Sequence, residues 1–217
     1  MKQIKIAIVG YRGKMGSVVF DALKQEYEVV GIDRGDYFAD SVSLVIDFAS
    51  AESSATMAKE CARRKIPLII GSTGQDENEL NEIKKASEQI IVLMAGNFSL
   101  GICLLKNALT SLITNNVQDI VIFEKHHKDK KDAPSGTAKE IKHFIENNFN
   151  MSSDVVFERG GKEIGTHVVD IYYENEVISL SHRVFSRNAF VDGLKKAIKF
   201  VLGSEKSGFY NMHDVKM

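Results

Sequence analysis

The stretch VGYRGKMG, from Val9 to Gly16, decides the fold of this chain. A short apolar run, Ile4 to Val9, leads into it, and an amphipathic segment, Met15 to Lys24, follows it. Glycines in such a turn let the backbone approach a phosphate, and the start of the helix supplies free N–H groups and the positive end of its dipole. Arg12 stands where G-x-G-x-x-G has its second glycine, so a glycine turn that binds nothing is the alternative. The stretch predicts a strand, a phosphate-binding turn and a helix.

The first half of the chain repeats this alternation of strand and helix. Apolar runs predict further strands at Glu28 to Ile32, Ser43 to Phe48, Pro67 to Ile70 and Ile90 to Met94, with helices from about Ser53 to Arg64 and Glu77 to Glu88. Continuous apolar strands separated by helices indicate a parallel sheet that is covered by helices on both faces.

The second half has a different pattern. We predict helices at Leu100 to Ile113, Ala138 to Phe149 and Phe190 to Leu202, a strand at Asp119 to Glu124, and an antiparallel hairpin of Thr166 to Tyr173 with Val177 to Phe185. The predicted fold class is therefore α/β: a Rossmann-type parallel-sheet nucleotide-binding domain plus an α+β domain.

Composition excludes several classes of protein. The chain has 217 residues, of which 44% are hydrophobic and 26% charged, and its net charge is −1, so no global field attracts nucleic acid or anionic lipid. No apolar run approaches the ~20 residues that cross a bilayer, and the N-terminus lacks a signal-peptide pattern, so we expect a cytoplasmic protein with no membrane partner. Cys61 and Cys103 lack metal or redox spacing and are expected to be reduced core thiols.

Several further segments are candidates for the cofactor site. Asp33 ends the second strand, where an acidic residue accepts hydrogen bonds from the ribose hydroxyls, whereas Arg34 beside it favours a 2′-phosphate, so the choice between NADH and NADPH stays open. Two more turns follow predicted parallel strands, at the edge where ligands of such sheets bind. Ordinary turns with Asp76 or Ser99 as helix caps are the alternative for these two segments. They are Gly71-Ser72-Thr73-Gly74 and Ala95-Gly96-Asn97-Phe98-Ser99.

The stretch EKHHKDKKDAPSGTAKE, from Glu124 to Glu140, carries the candidates for proton chemistry. His126 and His127 can exchange protons near neutral pH, and Lys130 adds a positive charge. A helix is predicted to begin in Ser135-Gly136-Thr137, where backbone amides can hold a carboxylate, and Thr137 with Glu140 matches a capping box.

Alternatives to an anion site remain for this stretch. A solvated charge run is one, and a metal site is another, although adjacent histidines cannot readily share one tetrahedral ion. A nucleic-acid patch is disfavoured because the basic character is local and lacks interleaved aromatics. Elsewhere, Arg187 is a candidate for holding a second carboxylate bidentately, and His167 is either a site residue or a structural histidine.

Collinear motifs over nearly the whole chain resemble one enzyme family, the 4-hydroxy-tetrahydrodipicolinate (dihydrodipicolinate) reductases of bacterial lysine and diaminopimelate synthesis. The most specific of them, HHKDKKDAPSGT, is similar to the family pattern H-H-x-x-K-x-D-A-P-S-G-T. The others are the glycine turn with Met15-Gly16, VIDFAS (45–50), GSTG (71–74), GNFSLG (96–101), RGGKEIGTH (159–167), SHRVFSR (181–187) and SGFYNMHDV (207–215). The chain departs from many members in the short segment between Arg34 and Ser43.

The resemblance implies a function and a role for each group of residues. Residues 1–98 and 188–217 would form the dinucleotide-binding domain, and residues 99–187 a substrate-binding and tetramerisation domain of a homotetramer. His126 and Lys130 would be the catalytic pair that transfers a proton to a cyclic imine dicarboxylate as it accepts hydride from NADH or NADPH. Implied substrate-binding residues are His127, Ser135, Gly136, Thr137 and Arg187. Implied cofactor-binding residues are Gly10, Tyr11, Arg12, Gly13, Lys14, Met15, Asp33, Arg34, Gly71, Ser72, Thr73, Ala95, Gly96, Asn97 and Phe98.

Two other functions share parts of this pattern. A two-domain nicotinamide oxidoreductase acting on a semialdehyde or a sugar would need the N-terminal half but no dicarboxylate site. A non-enzymatic nucleotide sensor would bind the dinucleotide without turnover, and it would have no use for a cluster of proton-transferring side chains.

Overall fold

The computed structural model describes residues 4–33 and 41–215 and contains two compact units. One unit consists of Met1–Phe98 and Phe190–Met217, and the other of Ser99–Ala189. The first unit resumes at Phe190, within a helix that begins at Asn188.

The helices and strands are numbered here in chain order. They are β1 (Lys5–Val9), α1 (Lys14–Leu23), β2 (Glu28–Ile32), β3 (Leu44–Asp47), α2 (Ala51–Arg64), β4 (Leu68–Ile70), α3 (Glu77–Ser87), β5 (Ile91–Met94), α4 (Leu100–Leu112), β6 (Asp119–His126), α5 (Gly136–Phe149), β7 (Asp154–Arg159), β8 (Gly165–Tyr172), β9 (Val177–Val184), α6 (Asn188–Gly203) and β10 (Gly208–Tyr210).

The first unit contains a six-stranded sheet in the order β10-β5-β4-β3-β1-β2, and every pairing in it is parallel. All residues of β3 and β4 are buried, which explains why they are apolar except for Asp47 at the end of β3. Ala58 and Cys61 of α2 and Ile83 of α3 pack in one core cluster with the strands. The predicted Rossmann-type parallel sheet is confirmed. The short edge strand β10 was not predicted, because three residues carry too little periodicity.

The second unit contains a four-stranded sheet in the order β7-β6-β8-β9. Strands β6 and β7 are parallel, and the pairs β6–β8 and β8–β9 are antiparallel, which confirms the predicted hairpin. Helices α4 and α5 cover one face of this sheet, and their apolar residues join those of β6 and β8 in a second core cluster. Strand β7 was not predicted, because it lies at an edge and most of its residues are exposed.

Both cysteines are buried and free, as expected. Among the described residues, no helix has the length and the apolar character that crossing a membrane requires.

Candidate active site

The predicted cofactor segments follow β1, β2, β4 and β5, and because these strands are parallel the segments share one edge of the sheet. Strand β1 lies between β2 and β3, so the chain order reverses there, and this is where open α/β sheets bind their ligands. The glycine turn is tight. Gly10 has a φ of +75°, and a Cβ on Gly16 would lie 2.1 Å from the carbonyl oxygen of Gly10. Helix α1 begins after Gly13 without a side-chain cap, so its N-terminal amides are available to a phosphate.

Two predicted cofactor-binding residues, one from the glycine turn and one just after β2, meet at this edge. Arg12 Nη1 lies 2.8 Å from Asp33 Oδ2, and the Arg12 guanidinium lies 5.2 Å from the centre of the Tyr11 ring. The Tyr11 ring covers Gly31, where a Cβ would lie 2.6 Å from the ring carbons. The two charged side chains therefore form one exposed ion pair. Arg34, the basic residue predicted beside the ribose, lies outside the described residues.

The Ser72 side chain is buried and hydrogen-bonded within the protein. Its hydroxyl lies 2.5 Å from Ser54 Oγ and accepts from Gln75 Nε2 at 2.9 Å. Ser54 Oγ in turn donates a hydrogen bond to one carboxylate oxygen of Asp47 at 3.0 Å. The other carboxylate oxygen of Asp47 accepts a hydrogen bond from the Ala49 amide at 2.7 Å. Burial raises the pKa of Asp47, although these hydrogen bonds oppose the shift. The Ser72 side chain therefore links the turn after β4 to helix α2, and its role in cofactor binding stays a prediction.

The other predicted cofactor residues divide into exposed and buried ones. Thr73 and Gly96 are exposed and adjacent, since Thr73 Cγ2 lies 3.0 Å from where a Cβ on Gly96 would be. Asn97 and Phe98 are buried, and the Phe98 ring packs edge-on against Phe48 at a centroid distance of 6.0 Å. Tyr11, Met15 and Ala95 are partly exposed, and Lys14 is exposed.

The alternative interpretation of the two later turns is correct for their cap residues. Asp76 caps α3 in a complete capping box with Glu79, and Ser99 accepts a hydrogen bond from the Ile102 amide at the start of α4. A cap beyond a turn leaves the exposed turn residues free to contact a ligand, so the two interpretations are compatible.

In the second unit, a polar row crosses the face of the sheet that the helices cover. Side chains alternate along β6, so Glu124 and His126 point to the same face as the buried Ile120 and Ile122. Strand pairing places His167 of β8 opposite Glu124. It also places His182 of β9 opposite His167. The row consists of Glu124, His126, His167 and His182, and it begins where the apolar core ends.

Glu124 is the charged centre of this row. Its Oε1 accepts from Arg159 Nη2 at 2.7 Å and from the Ser135 amide at 3.0 Å, while Oε2 contacts His126 Nδ1. Burial raises the pKa of Glu124, but the hydrogen bonds from Arg159 and Ser135 and the charges of His126 and Arg159 outweigh it, so the net pKa is lowered. Arg159 Nη2 also donates to the Asp132 carbonyl at 2.7 Å. Glu124 therefore stays ionised and orients the His126 ring through its Nδ1.

The pKa of each of the three histidines of the row is lowered. Burial lowers the pKa of His126, the Glu124 charge opposes this, and the Lys130 charge adds to it. Burial and the His126 charge lower the pKa of His167 to about 4. Burial also lowers the pKa of His182. The His126 and His167 rings meet edge-on at a centroid distance of 5.3 Å. His126 is the histidine of the row that contacts the Glu124 carboxylate, and the Lys130 charge also acts on it.

Glycine makes room for the His126 ring. A Cβ on Gly165 would lie 2.9 Å from His126 Nε2. The caps of α5 and α4 meet the other two rings: Ser135 Oγ lies 3.3 Å from His167 Nε2, and Ser99 Oγ lies 3.2 Å from His182 Nε2. The helix starts and the histidine row are therefore held together by direct side-chain contacts.

Helix α5 begins as predicted within Ser135-Gly136-Thr137, but the predicted capping box is wrong. The cap is Ser135, whose hydroxyl accepts from the Ala138 amide at 3.2 Å, and Glu140 pairs with Lys106 at 2.6 Å. Glu140 lies beyond the third helical position that a box with a Ser135 cap would need, so it has a tertiary partner instead. Gly136 is exposed, and a Cβ there would meet nothing within 4 Å, so open space lies beside the helix start.

Three more of the predicted site residues, His127, Lys130 and Arg187, lie outside the row. The His127 amide donates to the Glu163 carbonyl at 2.8 Å, which fixes the backbone where it leaves β6. Lys130 Nζ lies 2.8 Å from both carboxylate oxygens of Asp132. Arg187 is exposed beyond the end of β9, and none of the described hydrogen bonds of the row involves it.

One group of side chains in the described part of the chain has the composition of a metal site. Glu124, His126 and His167 each offer a ligand atom, and these atoms lie within 4.8 Å of one another. His127, which the sequence placed beside His126, is not in the group. An ion there would stand next to the Arg159 guanidinium, which already neutralises Glu124, so the carboxylate–histidine pair explains the group without a metal.

The sequence analysis missed Glu124, Arg159, Asp132 and His182 as parts of the site. A signal for Glu124 was present: it falls on the core-facing phase of IVIFEKH, where an acidic residue needs buried partners. Arg159 and His182 lie in the motifs RGGKEIGTH (159–167) and SHRVFSR (181–187), but no local pattern shows their partners, which come from distant segments of the chain.

Comparison with known proteins agrees with this arrangement. The family model described as "Dihydrodipicolinate reductase, N-terminus" matches residues 28–98, and the one described as "Dihydrodipicolinate reductase, C-terminus" matches residues 101–215. The 4-hydroxy-tetrahydrodipicolinate reductase of Caldanaerobacter subterraneus subsp. tengcongensis is 37% identical over 250 residues, covering 98% of this chain and 98% of the relative. That of Thermosipho africanus is 33% identical over 218 residues, covering 98% of this chain and 97% of the relative.

A solved structure extends the likeness to the whole fold. The dipicolinate-bound dihydrodipicolinate reductase from Paenisporosarcina sp. TG-14 superposes with a TM-score of 0.78 at 20% identity, covering 99% of this chain and 100% of that one. Two family models in order along the chain, together with relatives above 30% identity over nearly its full length, establish that the chain belongs to the dihydrodipicolinate reductase family of NAD(P)H-dependent oxidoreductases.

Proposed function

We propose that the chain reduces 4-hydroxy-tetrahydrodipicolinate to tetrahydrodipicolinate, with His126 and Lys130 as the proton-transferring pair. Family membership supports the reaction. The single structural observation that carries the residue assignment is the Glu124–His126 contact, which orients a buried imidazole beside the Lys130 charge and near an open helix start. A nucleotide sensor would have no need of such an arrangement.

The first unit is assigned to the nicotinamide dinucleotide. The tight turn from Gly10 to Gly16 and the uncapped start of α1 fit a pyrophosphate, because bare backbone and free amides face the same edge. The Arg12–Asp33 pair fits the adenosine ribose: Asp33 would accept from its hydroxyls, and Arg12 would bind a 2′-phosphate. Bound NADH or NADPH supplies the hydride.

The second unit is assigned to the dicarboxylate substrate. One carboxylate would bind at the amides of Gly136 and Thr137 with Lys130 as the positive charge, and His127 and Ser135 would line the same place. Fixing the carboxylates orients the ring for reaction. His126 or Lys130 then gives the proton that neutralises charge on the ring nitrogen as hydride arrives at carbon. Arg187 is exposed, so we propose that it contacts the second carboxylate only once substrate is bound.

We also propose that the outer face of the second sheet forms a homotetramer in the cytoplasm. Phe123 of β6 and Val156 of β7 are paired side by side, point away from the helix-covered face, and stay 38% and 50% exposed. A patch of this kind on a small domain marks an interface. Light scattering of the wild type and of Val156→Glu tests this, and an unchanged tetramer in the variant, or a monomeric wild type, rules the surface out.

The reaction is tested in a coupled assay. The cyclic substrate is made from pyruvate and aspartate semialdehyde by its synthase, and oxidation of NADH and of NADPH is followed in parallel. Lys130→Ala should lose nearly all turnover while its affinity for the cofactor stays close to the wild-type value. Lys131→Ala, an exposed neighbour in the same segment, is the matched control and should keep its turnover. A wild type that binds the cofactor and oxidises it only with a semialdehyde or a sugar would refute the proposal.

A further inference from the structure

Lys130 already has a carboxylate partner within its own chain. Asp132 offers both carboxylate oxygens to Lys130 Nζ, each at 2.8 Å. The Lys130 side chain is 21% exposed, and that of Asp132 is 53% exposed. A symmetric contact of this kind is the geometry in which a lysine would hold a carboxylate of a bound ligand.

The backbone around Asp132 is fixed although its side chain is not buried. Arg159 Nη2 donates to the Asp132 carbonyl at 2.7 Å, and the Lys130 amide donates to the His127 carbonyl at 3.2 Å. Only rotation of the Asp132 side chain is then needed to bring its carboxylate onto Lys130 or away from it.

The same carboxylate is also stabilised by the start of α5. Burial raises the pKa of Asp132, but the hydrogen bond and charge of Lys130 and the backbone amides of Asp132 and Gly136 outweigh it, and the net pKa is lowered. Lys130 and Gly136 are two of the groups assigned above to a substrate carboxylate. Asp132 thus interacts with both of them in the ligand-free chain.

We propose that Asp132 acts as an internal carboxylate that occupies the substrate-carboxylate subsite on Lys130 and must leave when substrate binds. The inference rests on the proposed function, because that function places a substrate carboxylate at Lys130 and Gly136. Two carboxylates cannot both pair closely with one ammonium group without repelling each other, so binding exchanges one ion pair for another. Asp132 is a positioning residue: it keeps Lys130 in place without ligand and competes with the ligand for it.

Competition between Asp132 and the substrate for Lys130 should affect the affinity for substrate more than kcat. In the bound state Lys130 holds the substrate whether residue 132 is charged or not, so kcat depends little on the competitor. The fraction of protein whose Lys130 is accessible sets the apparent affinity, so removing the competitor should tighten binding. A partly exposed ion pair of this kind corresponds to a change of about two- to fivefold.

The test uses pyridine-2,6-dicarboxylate, a planar dicarboxylate, titrated calorimetrically into the full-length protein with NADH present. Asp132→Asn keeps the shape of the side chain and removes its charge. Its Kd for the dicarboxylate should fall about two- to fivefold, and KM for the substrate should fall by the same factor while kcat stays within about twofold. Asp132→Ala is a second variant with the same expected direction, should the amide form a new hydrogen bond to Lys130.

Asp129→Asn is the matched control, since Asp129 is an exposed carboxylate in the same segment and its loss changes the net charge equally. It should leave Kd and KM unchanged. An unchanged or weaker Kd in both Asp132 variants would overturn the inference, and a fall in kcat with KM unchanged would show that Asp132 only supports Lys130 structurally. If the wild type binds the dicarboxylate and Lys130→Ala does not, the proposed function survives either result. If the wild type itself does not bind it, both fail.

Discussion

Replacing Glu124 by Gln tests the central ion pair of the row. The substitution keeps the size of the side chain and removes its charge. Wild-type Oε1 accepts from Arg159 at 2.7 Å and from the Ser135 amide at 3.0 Å, and Oε2 contacts His126 Nδ1. The glutamine oxygen can still accept a hydrogen bond, but the NH₂ group is only a donor and cannot accept a hydrogen bond from His126.

The size of the expected loss of unfolding free energy follows from the burial of the Glu124–Arg159 pair. The Glu124 side chain is 0% exposed and that of Arg159 only 16%, so the variant leaves a buried guanidinium without its counter-ion. Breaking such a pair costs about 3–5 kcal/mol. Because the glutamine oxygen retains one acceptor and Arg159 keeps the Asp132 carbonyl, we expect the lower end, about 3 kcal/mol of lost unfolding free energy at pH 7.

The pH dependence gives the sign of the effect. The pKa of Glu124 is lowered in the folded state from its ordinary value of 4.5, so its stabilising contribution is fully present above that value. It is lost as pH falls through the folded-state pKa. The difference between wild type and variant should therefore be largest at neutral pH and shrink below pH 4.5. Urea unfolding of both proteins at several pH values measures this.

A matched control separates a buried pair from a surface pair. Glu158 pairs with Lys125 at 2.6 Å on the neighbouring strand, but its side chain is 64% exposed. Glu158→Gln should cost less than about 1 kcal/mol at every pH. A Glu124→Gln variant as stable as Glu158→Gln, or a loss that stays the same below pH 4.5, would refute the argument that Glu124 is a buried charge neutralised by Arg159.

Three further predictions concern pH and the cofactor edge. Folding lowers the pKa of His167 to about 4, so on acidification the unfolded state takes up the proton first, and the protein should lose roughly 3 kcal/mol of unfolding free energy between pH 6.5 and 4. In urea titrations over this pH range, the unfolding free energy of His167→Gln should decline less steeply than that of the wild type, and an identical slope would contradict this. Gly16→Ala should weaken cofactor binding and lower Tm, because its Cβ would lie 2.1 Å from the Gly10 carbonyl oxygen, whereas Gly203→Ala, with nothing within 4 Å, should do neither. Arg12→Ala should raise KM for NADPH more than KM for NADH, measured side by side, and equal changes would show that Arg12 does not bind a 2′-phosphate.

The strand-helix alternation of the first unit was predictable because its causes are local. Fully buried parallel strands carry mostly apolar residues, Gly10 is favoured by its φ of +75°, and Gly16 is required by the Gly10 carbonyl oxygen within the same turn. The resemblance of HHKDKKDAPSGT to the family motif also lies within one continuous stretch. Errors occurred where local signals were weak or had more than one solution. The edge strands β7 and β10 lack periodicity, and the cap of α5 is Ser135, two positions before the predicted Thr137.

The sequence alone placed most of the strands and helices, apart from β7 and β10, and put His126 and Lys130 close to a helix start. Only the tertiary structure decided what surrounds them. Glu124 meets Arg159 and faces His167 because β6 pairs with β7 on one side and β8 on the other. Backbone hydrogen bonds between strands distant in the chain set these neighbours, and burial then sets the pKa of each group. Side-chain periodicity is a local property of the backbone, whereas charge pairing and desolvation depend on contacts that form only when distant segments pack together.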